Sequence, residues 1–160
     1  MLQRSIADNI VISELDNLSN GVGVLDDKRR AAEVEIRVEE MKIATANPYK
    51  AVSTLSGGNQ QRVVLAKWLA TNPDILILNG PTVGVDIGSK RVIHLILNDL
   101  ASRGMGIIVI TDDIPELLTV SNRILLLQEG RLVAEVDPAS VTEQEMSAMI
   151  TGGSVPGKEH

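Results

Sequence analysis

Leu55-Ser56-Gly57-Gly58-Asn59-Gln60-Gln61-Arg62 decides how the rest of the chain is read. Two glycines follow a serine, then a polar run, then Val63-Val64-Leu65-Ala66-Lys67-Trp68-Leu69-Ala70, so a loop delivers the backbone into a helix. Ser56 is a favoured N-cap type. Gly57 and Gly58 carry no Cβ, so a ligand can approach the main chain closely there. The N–H groups and positive dipole end of the helix that follows form an anion site, for which phosphate is the usual guest.

Outward from this stretch, Thr71-Asn72-Pro73-Asp74 breaks the helix. Ile75-Leu76-Ile77-Leu78 is a short apolar run of the kind expected for a strand buried on both faces. Residues 88–102 predict a helix, with Ile93, Leu97 and Leu100 on one side and Val92 and Ile96 adjoining. Residues 106–111 predict a second buried strand, 115–120 a short helix, and 123–128 a third strand. Glu129-Gly130 turns that third strand into a hairpin with 131–136. Ser140-Val141-Thr142-Glu143 has capping-box form and opens a last helix to about Ile150. The Gly-rich tail from Thr151 to His160 reads as loose.

Upstream, Ile6, Ile10 and Leu15 sit near helical spacing, and Asn20-Gly21 signals a turn. Ala31, Val34, Val38 and Met41 form one helical face in a charged segment over 26–42, whose Lys28-Arg29-Arg30 cluster reads as a solvated face. Residues 44–54 are a loop. The first half is therefore helical, while the alternating strands and helices of the second half indicate a parallel α/β sheet.

Composition limits the function classes. The 160 residues have the size of one domain, and 44% hydrophobic residues suit a packed core. One Trp, one Tyr and no Phe make that core aliphatic. A formal charge of −6 argues against a nucleic-acid partner. No stretch approaches the roughly 18 apolar residues of a membrane span, and the start lacks the apolar core of a signal peptide. The absence of cysteine removes disulfides and thiolate chemistry, and no metal-ligand spacing is present. A soluble cytoplasmic protein is expected.

The literal string LSGGNQQR resembles the signature motif of ABC-transporter ATPases. Its Asn-Gln-Gln form is similar to the second cassette of bacterial sugar importers of the ribose/galactose/xylose type. The resemblance continues through Ile75-Leu76-Ile77-Leu78, Pro81-Thr82, Gly84-Val85-Asp86 and Ile108-Val109-Ile110-Thr111, and so covers most of the chain. It implies an α/β fold that is part of a P-loop NTPase. A helical signature subdomain would occupy residues 1–72, part of a RecA-like core 73–150, and a flexible tail 151–160. It also implies that Ser56, Gly57, Gly58 and Gln60 contact the γ-phosphate of ATP held by the opposite cassette. Asp86 matches the D-loop and would lie at that interface, as a hydrogen-bonding group rather than a catalyst. ATP with Mg²⁺ is thus expected only in a composite site with a second nucleotide-binding domain. A membrane permease would be the other partner, placing the chain at the inner face of the cell membrane.

Other family parts are missing or altered. A P-loop requires a strand, GxxxxGK[ST] and a helix, and nothing upstream of the signature fits. Gly152-Gly153-Ser154-Val155-Pro156-Gly157-Lys158 imitates the pattern, but Glu159 stands where the hydroxyl belongs and no strand leads in. By resemblance, the chain begins just after the Q-loop region. The absent P-loop strand would lie between those at 106–111 and 123–128, leaving unpaired edges. The chain is then expected to repack, to borrow a strand from a partner, or to be poorly stable alone, with a homo-oligomer through those edges as one form of partner. At the Walker B strand end, Asn79 replaces the carboxylate that organises Mg²⁺, and Gly80 replaces the glutamate that polarises water. Loss of a positioned base costs about 10²–10⁴ in rate. Asp112 stands at the switch-histidine position, where a carboxylate about 4 Å from a phosphate charge opposes binding by about 4 kcal/mol. Lys90 reads as surface, Trp68 as core, and His94 as a helix-face residue rather than a ligand.

No residue is therefore assigned a catalytic or metal-binding role. The sequence indicates a truncated ATP-binding subunit of a sugar-type importer, supplying a signature face in trans and not hydrolysing ATP alone. The alternatives are a regulatory or oligomerising module that occupies a partner cassette, and a remnant without function.

Overall fold

A computed structural model describes residues 2–19 and 25–151. The Asn20-Gly21 turn, the P-loop-like string at 152–158 and His160 lie outside the described residues. The chain divides into two compact units: residues up to 76 together with 81–107, and residues 77–80 together with those from 108 onward.

The first unit is mainly helical. Helix α1 (Ile6–Val11) is capped by the Ser5 hydroxyl, which accepts the Asp8 N–H at 3.0 Å, and it buries Ile6 and Ile10 completely. The helical pattern expected over 5–15 is broken after Val11 and resumes as a single turn, α2 (Leu15–Leu18), leaving Leu15 exposed. Helix α3 (Asp27–Glu40) is capped by Asp26 and buries Val34, with Met41 just beyond its end. Ala31, expected on that buried face, is exposed because α3 packs only near its middle and end. Arg30 is not merely solvated: it pairs with Asp8 at 2.6 Å, while Lys28 and Arg29 stay exposed. Helices α4 (Gly57–Leu69) and α5 (Ile87–Ser102) complete the unit, and α4 packs on α1, α3 and α5. Its aliphatic core includes Leu65, Leu69 and Ile93.

Two clamps hold the chain on either side of α4. Residues at the start of α1 hold the approach loop, with Ile6 N–H donating to Lys50 O at 2.9 Å and Val52 N–H to Arg4 O at 3.0 Å. On the far side, Arg37 bridges Glu33 at 2.7 Å and Glu40 at 2.8 Å, and also donates to Asn72 Oδ1 at 2.8 Å. Arg103 closes the network on Glu40 at 2.7 Å. Burial of Glu40 works against its ionisation, but the hydrogen bonds from Arg37 and Arg103 outweigh it and hold the carboxyl below its usual range.

Strands β1 (Ile75–Asn79) and β2 (Gly106–Ile110) pair as one two-stranded ladder. Gly106 N–H donates to Asp74 O at 2.9 Å at one end and Gly80 N–H to Ile110 O at 2.8 Å at the other, so the strands run parallel. Both read in sequence as buried on two faces, and that expectation is corrected. Leu76 and Leu78 are buried, whereas Ile75 and Ile77 are 62% and 63% exposed. Ile108 and Ile110 are likewise about half exposed. The pleat sends alternate side chains to opposite faces, and packing covers only one of them.

In the second unit, α6 (Ile114–Val120) precedes the hairpin of β3 (Ile124–Gln128) and β4 (Arg131–Val136). The pairing is antiparallel from Ile124↔Val136 to Gln128↔Arg131, with an irregularity between Leu126 and Leu127. Glu129 and Gly130 both have positive φ, 52° and 76°, as a two-residue hairpin turn requires. Ile124, Leu126 and Val136 pack on Met146 and Met149 of α7 (Glu143–Ile150), with Leu117 and Leu118 of α6 against them. The cap of α7 is displaced from its expected place. Thr142 accepts from Glu145 N–H while Glu145 reaches back to Thr142, whereas Ser140 closes a preceding 3₁₀ turn and donates to Asp137 O at 2.8 Å. The strands β2 and β3 belong to separate ladders.

Candidate functional site

Ser56, extended at φ −63° and ψ 158°, is the N-cap residue of α4. Its hydroxyl does not cap the helix. It accepts instead from Asn59 Nδ2 at 2.9 Å, and only the Ser56 carbonyl serves the helix, receiving the Gln60 N–H at 2.9 Å. Gln60 Nε2 turns back to Leu55 O at 2.8 Å. The N–H groups of Gly57, Gly58 and Asn59 have no acceptor among the described residues, and no acidic residue sits in the first turn. By contrast, α1, α3, α5, α6 and α7 are each capped by a side chain. The start of α4 thus keeps its donors and its dipole unneutralised, which is the arrangement that suits an anion.

The two glycines do different jobs. Gly57 is exposed, and a Cβ there would meet nothing closer than Gly84 O at 3.9 Å. Gly58 is buried, and a Cβ there would overlap the Cβ and Oγ of Ser89 at the start of α5. The expectation that both missing side chains open the backbone to a ligand therefore holds in geometry for Gly57, whereas Gly58 is small because α5 crosses against it.

Two residues to which sequence reasoning gives no role hold this loop in shape. The Arg62 guanidinium is buried and donates to Gly58 O at 3.3 Å, to Asn59 Oδ1 at 2.8 Å and to Lys42 O. Asn59 Oδ1 also accepts the Ala44 N–H at 2.8 Å, so one amide side chain ties the loop to residues 42–44 as well as to Ser56. Burial lowers the pKa of Arg62, and the Asp86 charge offsets part of that. The signal that could have found them is the i, i+3, i+6 spacing of Ser56, Asn59 and Arg62, which puts them on one helix face.

Asp86 is exposed and caps α5, accepting the Ser89 N–H at 2.9 Å. Hydrogen bonds from the Ser89 N–H and hydroxyl hold its carboxyl below the usual range. Ser56, Gly57, Gly58, Gln60 and Asp86 all belong to the first unit. Asn79, Gly80 and Asp112 belong to the second. There Asn79 is exposed at the end of β1, and Gly80 follows at φ 57°. Asp112 is exposed, and its neighbour Asp113 caps α6 by accepting the Glu116 N–H at 3.0 Å. Neither Asn79 nor Gly80 offers a carboxylate or a base.

A cleft of about 420 Å³ adjoins Gly57, lined by Val52, Gln60, Val64, Trp68, Val83 and Gly84 among others. Trp68, expected in the core, is 48% exposed, with the Lys67 ammonium 4.5 Å from its ring centroid. Leu65, Ala66 and Leu69 take the inward face of α4, and the i, i+4 pair Val64 and Trp68 is left outward. Lys90 and His94 are both half-buried on α5 rather than fully on the surface.

The model of the family described as ABC transporter matches residues 2–83. The ribose import ATP-binding protein RbsA of Bacillus subtilis (strain 168) is 40% identical over 153 residues, covering 96% of this chain and 31% of that protein. RbsA 2 of Rhizobium etli is 39% identical over 160 residues, covering 99% of this chain and 32% of that protein. The chain therefore spans about a third of the length of the curated relatives it matches. A dimeric ATP-binding cassette in a post-hydrolysis state with ADP and Pi superposes with a TM-score of 0.72 at 24% identity, over 86% of this chain and 58% of that one. An ATP-binding cassette in its ADP conformation gives 0.70 at 19% identity, over 94% and 60%. The fold is part of an ABC cassette.

Proposed function

This chain belongs to the ABC transporter family, and on that premise we propose that it lends its signature face to ATP held by a partner cassette of a sugar-type importer. One observation carries the reading: the start of α4 presents free N–H groups, the exposed Gly57 and the Ser56 hydroxyl, while the end of β1 carries Asn79 and Gly80. The first set fits the terminal phosphate of a nucleotide. The second fits neither Mg²⁺ nor an attacking water, so the metal and its phosphates belong to the partner's side. ATP bound there would supply the γ-phosphoryl group. Ser56 and the N–H groups of Gly57 and Gly58 would hydrogen-bond its oxygens, with Gln60 beside them. Asn59 and Arg62 would keep that loop from spreading. Asp86, fixed as the cap of α5, would lie at the cassette–cassette boundary.

The named relatives are ribose import ATP-binding proteins, which favours a sugar permease as the membrane partner. Among the described residues no helix is long and apolar enough to cross a membrane. The proposed location is the inner face of the membrane, bound to that permease.

The test is ATP turnover by a complete sugar-importer cassette, with its permease, titrated with this chain. Turnover should change with added chain, and Ser56→Ala should reduce that effect about 10- to 100-fold, the worth of one hydrogen bond to a charged group. The chain alone should show none. An effect that Ser56→Ala and Gly57→Asp both leave intact would exclude the signature face as the active surface.

A further inference from the structure

Arg62, Asn59 and Ser56 form a chain of hydrogen bonds whose sense is fixed. The Arg62 guanidinium and the Ala44 N–H both point at Asn59 Oδ1, each at 2.8 Å. Neither group can accept, so the carboxamide stands with its oxygen toward them and its nitrogen on the other side. That nitrogen lies 2.9 Å from Ser56 Oγ and can only donate. Ser56 is therefore the acceptor of the pair, and its own proton points elsewhere. No group among the described residues takes that proton, and Ser56 and Gly57 are both exposed. Ser5 supplies an internal comparison. It caps α1 with almost the same backbone, φ −63° and ψ 157° against −63° and 158°, and it too has its partner three residues on. There the Ser5 hydroxyl accepts the Asp8 N–H and serves its own helix. At α4 the Asn59 side chain takes over the accepting side of the serine and leaves the donating side for a ligand.

We propose that Asn59, oriented by Arg62, is a positioning residue that makes Ser56 an obligate donor to the terminal phosphate of the partner-held nucleotide. This rests on the signature-face reading and adds to it a direction for one proton. Ionised phosphoryl oxygens only accept, so a serine lone pair turned toward them would repel, whereas its proton makes a charge-assisted bond. A hydroxyl that accepts from an amide, itself polarised by a guanidinium, is the stronger donor for it. The positive charge of Arg62 thus acts on the phosphate through two neutral groups while the guanidinium stays buried. The same sense favours an ionised phosphoryl group over any ligand that presents a donor.

Asn59→Asp separates this role from merely holding the loop. Aspartate keeps an oxygen for Ala44 N–H and Arg62, but sets a second oxygen against Ser56, so the serine donates inward and turns its lone pairs outward. The full-length variant should melt no lower than the parent. Calorimetry with a hydrolysis-deficient complete sugar-importer cassette should show the parent chain tightening ATP binding, and Asn59→Asp losing that effect about tenfold or more. A new charge near the phosphate would do the same without the serine, so the change is repeated on Ser56→Ala, where it should cost less than about twofold. In the free chain, NMR should show the Asn59 side-chain amide protons shifting on Ser56→Ala. That measurement stands even where Asn59→Asp folds poorly. An Asn59→Asp chain as effective as the parent would overturn the proposal. So would an equal loss in the Ser56→Ala background, or Asn59 amide protons indifferent to Ser56→Ala. No effect of the parent chain on ATP binding would instead overturn the signature-face reading, and this role with it.

Discussion

Gly58 and Ser89 stand so close that a methyl group on the glycine would occupy the place of the serine's Cβ and Oγ. The loop that opens α4 is thus set in position by the start of α5, whose cap, Asp86, also offsets part of the burial cost of the Arg62 charge. Loop, helix start and the Asp86 cap form one braced block.

Gly58→Ala should destabilise the chain by about 1–3 kcal/mol, the usual cost of forcing atoms into a filled space, despite the better helix propensity of alanine. Gly57→Ala meets only Gly84 O at 3.9 Å and should stay within about 1 kcal/mol of the parent. Urea denaturation of the two variants separates these outcomes, and Ser89→Gly should recover most of the loss in Gly58→Ala.

Arg62→Lys should not behave as a conservative change. Lysine cannot reach Gly58 O, Asn59 Oδ1 and Lys42 O together, so about 1–3 kcal/mol is lost with the groups left unpaired. Amide exchange should report the loss over residues 42–44 and 56–62 first.

Much of this architecture is legible in the order of residue types. LSGGNQQR locates the helix start, the Asn72-Pro73 breaker its end, and Glu129-Gly130 the hairpin. The misreadings share a cause, which is that a local string does not say what packs against it. Ile75-Leu76-Ile77-Leu78 has the composition of a doubly buried strand, yet only one face is covered. Trp68 is apolar enough for the core, but its helical phase is that of the outward Val64. Gly58 reads as access and is instead a helix-crossing contact. Ser140 and Thr142 each have a glutamate three residues on, so the string suits either as a cap. The 3₁₀ turn over Pro138–Ser140 takes the serine and leaves the threonine to cap α7.

Acid should unfold the chain from a definable window. Glu40, held low against burial by Arg37 and Arg103, and Glu145, held low by the Thr142 N–H and hydroxyl, both have folded pKa values below their ordinary 4.5. Asp86 lies below its ordinary 3.8. A depressed folded pKa means the unfolded state binds protons first. The contribution is complete above the ordinary value and disappears as pH falls through the folded one. Stability should therefore be flat above about pH 5.5 and decline below about 4.5. In Glu40→Gln, stability at neutral pH should be lower and its fall on acidification smaller, as read from denaturant midpoints.

Restoring acids to the end of β1 should not create an ATPase. Gly80 sits at φ 57°, so Gly80→Glu carries backbone strain of about 1 kcal/mol. Asn79→Asp with Gly80→Glu should melt lower than the parent and show no turnover alone, measured by phosphate release.

Equilibrium titration of Mg-ATP is the most direct measurement of the central claim, that this chain reads a nucleotide gripped by another cassette. Calorimetry should give no heat of binding with the chain alone. With a hydrolysis-deficient complete sugar-importer cassette, adding the chain should tighten ATP binding, and Ser56→Ala should abolish the gain. Saturable Mg-ATP binding to the chain by itself would contradict the account.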